Sequence, residues 1–93
     1  MMSDIKKDQI FKIAAHHRFQ WEEAQDCYVI LFPEGMVKLN PSGGEILKLV
    51  DGKTSIQSVI NTLKDKFQGV DSLEDDVLAM FNFALDKAWI EKI

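Results

Sequence analysis

The stretch from Trp21 to Gly52 constrains the fold most, because it sets strand signals, a tight turn and a helix start side by side. Tyr28–Phe32 is an apolar run with β-branched and aromatic members, too short for a helix and closed by turn residues. Pro33-Glu34-Gly35 suits a hairpin: Pro presets φ at the first turn position, and Gly accepts a left-handed backbone after it. Met36–Leu39 then reads as the returning strand. Asn40-Pro41 opens a helix, since Asn can cap and Pro is tolerated at the first helical position. Ser42 with Glu45 offers a competing capping box, and the residues leave both options open. Gly43 and Gly44 each weaken this first turn by ~1 kcal/mol relative to alanine. Ile46, Leu47 and Val50 still give the helix an apolar side, and Asp51-Gly52 ends it.

Phe19-Gln20-Trp21-Glu22 alternates apolar and polar residues, as a half-buried strand does. Strands at about 18–23, 27–32 and 35–39 thus read as an antiparallel meander. Lys38, set between Val37 and Leu39, gives the third strand a solvent face and an open edge. Residues 1–15 mix charge with isolated apolar residues and are expected as a poorly ordered N-terminal segment, with one domain spanning 16–93. After the first helix, Thr54-Ser55-Ile56-Gln57 reads as a capping box. Ile56, Val59, Ile60, Leu63 and Phe67 form an apolar stripe at helical spacing, and Gly69 supplies the stop. A third helix begins near Ser72, with Glu74, Asp75 and Asp76 in its first turn, where the helix dipole favours negative charge. On a helical wheel, Leu73, Val77, Met80, Ala84 and Ala88 cluster as its core face. Leu78, Phe81, Leu85 and Trp89 form a shoulder beside them, and Phe83 stands apart. Strands first and helices after make an α+β fold.

Ninety-three residues make one domain, and 46% apolar with 28% charged residues is globular composition. No apolar run approaches the ~20 residues of a membrane span, and MMSDIKKDQI lacks the apolar core of a secretory signal. One cysteine excludes an internal disulfide, so a cytoplasmic protein is expected. The net charge of −4 argues against a protein that lives on phosphate backbones. Cys27 has Asp26 beside it, which raises a thiol pKa, and starts an apolar strand; a packed, inert thiol fits better than a nucleophile. His16 and His17, adjacent on an extended chain, point to opposite faces and lack a cysteine or carboxylate cluster at metal spacing. The acidic run Glu74-Asp75-Asp76 has neither the spacing nor the Gly of a calcium loop. Gly43-Gly44 lacks the flanking strand and Lys of a phosphate loop. Gln57, Asn61, Lys64 and Lys66 on the second helix offer a nucleic-acid-facing set, interrupted by Asp65. A nucleic-acid-binding or regulatory protein, winged-helix if the strands pack as a wing on the helices, is the alternative function.

The residues WEEAQDCYVILFPEGMVKLNPSGGEILKLVDG, Trp21–Gly52, resemble the pyrroloquinoline quinone (PQQ) biosynthesis protein D family. The Trp-Glu-Glu-Ala-Gln, Pro-Glu-Gly-Met-Val-Lys-Leu-Asn and Leu-Val-Asp-Gly blocks occur together at the family's spacing, over about a third of the chain. The resemblance implies a winged helix-turn-helix-like fold, with the three-stranded meander as a wing on three helices. It implies a non-catalytic peptide chaperone without a cofactor, which binds a short precursor peptide (PqqA-like). The chaperone presents that peptide to a radical S-adenosylmethionine enzyme (PqqE-like) that joins a Glu and a Tyr side chain. In the family the peptide lies between the third strand and the third helix. Met36, Val37, Lys38 and Leu39 match the strand motif; the helix shoulder Leu78, Phe81, Leu85 and Trp89 is inferred from the wheel. Ordinary core packing or a homodimer contact is the competing use of that shoulder.

Overall fold

In the computed structural model, which describes residues 5–93, eight elements follow in order. They are β1 (Phe11–Ile13), β2 (Arg18–Glu22), β3 (Cys27–Phe32), β4 (Gly35–Lys38), α1 (Pro41–Leu47), α2 (Ile56–Lys66), α3 (Leu73–Asp86) and β5 (Ile90–Lys92). β2, β3 and β4 form the antiparallel meander, with β3 central; Trp21 pairs with Tyr28, and Ile30 with Phe19 and Val37. Residues directly opposite share a face, so Phe19, Tyr28, Ile30, Phe32, Val37 and Leu39 all point toward the helices. Ile30 is wholly buried there, and Phe19 stacks on Tyr28 with ring centroids 4.8 Å apart. Glu23–Asp26 makes the turn between β2 and β3, closed by Asp26 in the left-handed region at φ 54°.

The helices take the opposite layer, giving a winged helix-turn-helix-like α+β domain. Asn40 caps α1: its Oδ1 accepts the Gly43 N–H at 2.7 Å, and Pro41 occupies the first helical position. Ser42 makes no such bond. Gly44 lets α1 lie against the sheet, since a Cβ there would stand 2.8 Å from the Tyr28 ring. Between α1 and α2, Asp51 Oδ1 accepts the N–H groups of Lys53 and Thr54. The Lys53 bond, opposed by desolvation and aided by the weaker Thr54 bonds, holds the Asp51 carboxyl below its ordinary range. Ser55 caps α2 through the Ser58 N–H. Ile56, Val59, Ile60 and Leu63 of α2 are buried as their spacing predicts, while Phe67 stays 39% exposed.

Phe11–Ile13, expected in a loose N-terminal segment, instead form β1 and pair antiparallel with β5. Phe11 is 2% exposed and its ring lies 5.5 Å from that of Phe81. The N–H groups of Ile56 and Gln57 donate to the carbonyls of Gln9 and Lys7 at 3.0 and 2.8 Å. Lys7 to Ile13 thus bond to the rest of the domain, and residues 1–4 of that expected segment lie outside the described residues. A three-residue strand whose strand partner lies at the other end of the chain leaves no local period to read.

Candidate functional site

β4 is a free edge of the meander. The Leu39 N–H donates to the Tyr28 carbonyl at 2.9 Å, and the register continues through Val37–Ile30 and Gly35–Phe32. Hydrogen-bonded positions alternate along an antiparallel strand. Gly35, Val37 and Leu39 therefore direct their backbone groups to β3, while Met36 and Lys38 turn theirs outward, unpaired.

Beside that edge a cavity of about 730 Å³ separates β4 from the C-terminal half of α3. Phe32, Val37, Lys38 and Leu39 line its sheet side, and Asn40 and Gly43 its end at α1. Met80, Phe83 and Lys87 line the helix side, followed by Trp89 just beyond the helix; His17 and Glu34 complete the wall. Gly43 leaves room here: a Cβ would press within 3.1 Å of the capping Asn40 Oδ1 and 3.3 Å of Met80 Cε. Phe83 is 48% exposed, meets Trp89 edge-on with centroids 5.4 Å apart, and carries the Lys87 Nζ 5.5 Å over its ring. His17 Nδ1 donates to the Ala15 carbonyl at 2.8 Å, and its ring lies 5.9 Å from Phe32.

The geometry of α3 explains which side chains reach this groove. Its buried stripe is Leu73, Val77, Phe81 and Ala84. At about 100° per residue, Met80, Phe83 and Lys87 flank that stripe on one side, and Leu78 and Leu85 on the other. β4 lies on the Met80 side. Trp89 does not follow the wheel at all, because Ala88 leaves the helix in the left-handed region at φ 62°. That turn sends Trp89 to the groove wall, where it is 7% exposed, and its carbonyl accepts the Ala14 N–H at 2.9 Å. Ala88→Gly is expected to stabilise the domain by about 0.5–1 kcal/mol, because glycine adopts this conformation without steric cost. Thermal unfolding measures it; an unchanged or lower midpoint would contradict the strain at Ala88.

Of the residues expected at the site, Val37, Lys38, Leu39 and Trp89 line the cavity, and Met36 sits on the open edge, 42% exposed. Phe81 is 1% exposed against Phe11, and Leu78 and Leu85 are half-buried on the far flank; the structure does not bring these three to the groove. Met80, Phe83 and Lys87 take that position. The isolation of Phe83 from the apolar cluster on the wheel was the signal for Phe83; Met80, expected on the core face, had none.

The groove is equipped for contact. No polar or charged residue is buried among the described residues, and none of them form a group of three potential metal ligands. Cys27, half-buried, lies opposite Glu22 at the start of β3. The Lys7 ammonium, hydrogen-bonded to Glu74, holds that carboxyl below its ordinary range against a smaller desolvation effect, and Lys64 at 3.8 Å adds to this. Glu74 at the start of α3 is thus engaged in surface ion pairs. On α2, Gln57 bonds to Asn61 at 3.0 Å, Lys64 pairs with Glu74, and Lys66 bonds to Glu45 at 2.5 Å.

Residues 27–90 match the family described as "Coenzyme PQQ synthesis protein D (PqqD)". A "PqqA binding protein" of Pseudomonas aeruginosa is 46% identical over 90 residues, covering 97% of this chain and 98% of the relative. The protein of the same description from Azotobacter vinelandii is 44% identical with the same coverage, and that of Klebsiella pneumoniae 38% identical over 86 residues, 92% and 94% of the two chains. The solution NMR structure of the PqqD truncation of Methylobacterium extorquens PqqCD, described as a stand-alone recognition element for ribosomally synthesized and post-translationally modified peptides, is similar in fold. It matches with a TM-score of 0.76 over 94% of each chain at 23% identity.

Proposed function

The chain belongs to the PqqD family, coenzyme PQQ synthesis protein D, and on that footing we propose that it is a non-catalytic chaperone for the PqqA precursor peptide. It binds the peptide and presents it to the radical S-adenosylmethionine enzyme PqqE, which joins the peptide's Glu and Tyr side chains. The observation that carries the binding mode is the free β4 edge beside an apolar groove. A peptide strand added there pairs with the outward backbone groups of Met36 and Lys38, and its alternate side chains enter the cavity against Met80, Phe83 and Trp89. Main-chain bonds supply affinity largely independent of sequence, and the aromatic wall selects apolar side chains. The cavity lies within the ~300–1,000 Å³ typical of ligand sites. A single thiol without a disulfide partner suits action in the reducing cytoplasm. Pairing of two copies through β4 would use the same edge, so peptide is expected to compete with any self-association.

Phe83→Ala tests the groove. The side chain is half in solvent, so its removal costs little folding free energy, yet it forms one wall of the site. Calorimetry with the precursor peptide is expected to show affinity reduced by ~1–3 kcal/mol, with the thermal midpoint close to wild type. A folded variant that binds as wild type removes the peptide from this groove. Cys27→Ser is expected to leave both peptide binding and peptide modification nearly unchanged. Loss of modification with folding intact would contradict a non-catalytic role.

A further inference from the structure

A second hollow, of about 250 Å³, lies on the other side of α1, between its first turn, the end of α2 and the start of α3. Its floor is Ile46, Leu63 and Leu73, and Phe67 and Val70 stand over it, 39% and 46% exposed. Two large apolar side chains open to solvent at one concave site mark a place where another surface is buried. The rim is acidic. Glu45 and Asp76 line the hollow, and Asp71 stands beside it, lining an adjoining depression with Phe67 and Val70. The nearby lysines are already engaged: Lys66 bonds to Glu45 and lies 5.5 Å from the Phe67 ring, and Lys64 pairs with Glu74. Among the described residues, Asp71 forms no ion pair, and Asp76 accepts the Ser72 hydroxyl at 3.2 Å. Lys66 neutralises Glu45, so Asp71 and Asp76 leave the rim net negative, and it complements a basic segment.

We propose that this hollow docks the radical S-adenosylmethionine enzyme, through a basic segment that inserts one bulky apolar side chain beside Phe67 and Val70. The proposal rests on the presentation role given above and names the surface that role requires. The two sites stand back to back across the first turn of α1: Asn40 and Gly43 face the peptide groove, while Pro41, Ser42 and Glu45 face the hollow. Neither site shares a lining residue with the other, so peptide and enzyme fit at once. A chaperone that presents its peptide needs that arrangement.

The test uses the precursor peptide and the radical S-adenosylmethionine enzyme as separate probes of the full chain. Val70→Lys and Asp71→Lys change exposed side chains in the irregular connection between α2 and α3, so both variants are expected to fold. Each is expected to weaken enzyme binding by about tenfold or more while peptide affinity stays at wild type, and Asp71→Lys is expected to flatten its salt dependence. Variants that fold and bind the enzyme as tightly as wild type overturn the docking surface. So does a Val70→Lys chain whose only change is lost self-association, which would make the hollow a contact between copies. The peptide groove stands or falls separately, on peptide binding by Phe83→Ala.

Discussion

A Lys38→Pro chain is expected to fold and to bind the precursor peptide ten- to a hundredfold more weakly, whereas Val37→Pro is expected to lose the fold. The two positions are neighbours with the same strand conformation. They differ in the edge their N–H groups serve. The Lys38 N–H points to the free side, so proline removes a donor that only an added strand would use, and its ring blocks that approach. Leaving a peptide carbonyl unpaired in the complex costs about 1–3 kcal/mol, which is the stated loss of affinity. The Val37 N–H belongs to the ladder with Ile30, the wholly buried centre of the sheet. Proline there orphans a buried carbonyl and disrupts the pairing of β3 with β4. Circular dichroism and thermal unfolding separate the two outcomes, and calorimetry with the peptide reads the first. A folded Lys38→Pro chain with wild-type affinity would show that the peptide does not use this edge.

Phe81→Ala is expected to destabilise the domain by about 3–5 kcal/mol, the range for a buried phenylalanine that leaves a cavity. Phe81 is enclosed between the helical layer and Phe11, and so ties the N-terminal strand to α3. Against a total of ~5–15 kcal/mol for a domain, that loss moves a large part of the population toward unfolding. Peptide affinity per folded molecule is expected to hold, because Phe81 does not line the groove. Denaturant unfolding checks the first statement, and calorimetry at low temperature, where the variant is folded, checks the second. Phe81→Ala and Phe83→Ala thus have opposite signatures, although the residues are two apart on one helix. A Phe81→Ala chain of wild-type stability and weak peptide binding would reverse the assignment.

The sequence by itself determined the meander, the order of strands before helices, and the family. Period-two alternation, the Pro33-Glu34-Gly35 turn and the stripe Ile56, Val59, Ile60, Leu63 are local patterns, and local patterns set local structure. The open edge was also legible, because Lys38 between Val37 and Leu39 gives the last strand of the meander a solvent face. Tertiary structure decided the rest. A periodic pattern says which face of α3 is apolar, but not on which flank of that face β4 will lie; docking alone chose Met80, Phe83 and Lys87 over Leu78 and Leu85. The wheel carried Trp89 past the end of the helix, where the left-handed turn at Ala88 ends its validity. Asn40 was chosen over Ser42 as the cap by the hydrogen bond its position permits. Which of Val37 and Lys38 faces the free edge followed from the phase of the ladder, a property of two strands together. β1 pairs with β5, from the other end of the chain, and its Phe11 carbonyl accepts the Gly52 N–H, so neither short segment carries a local trace of its partners.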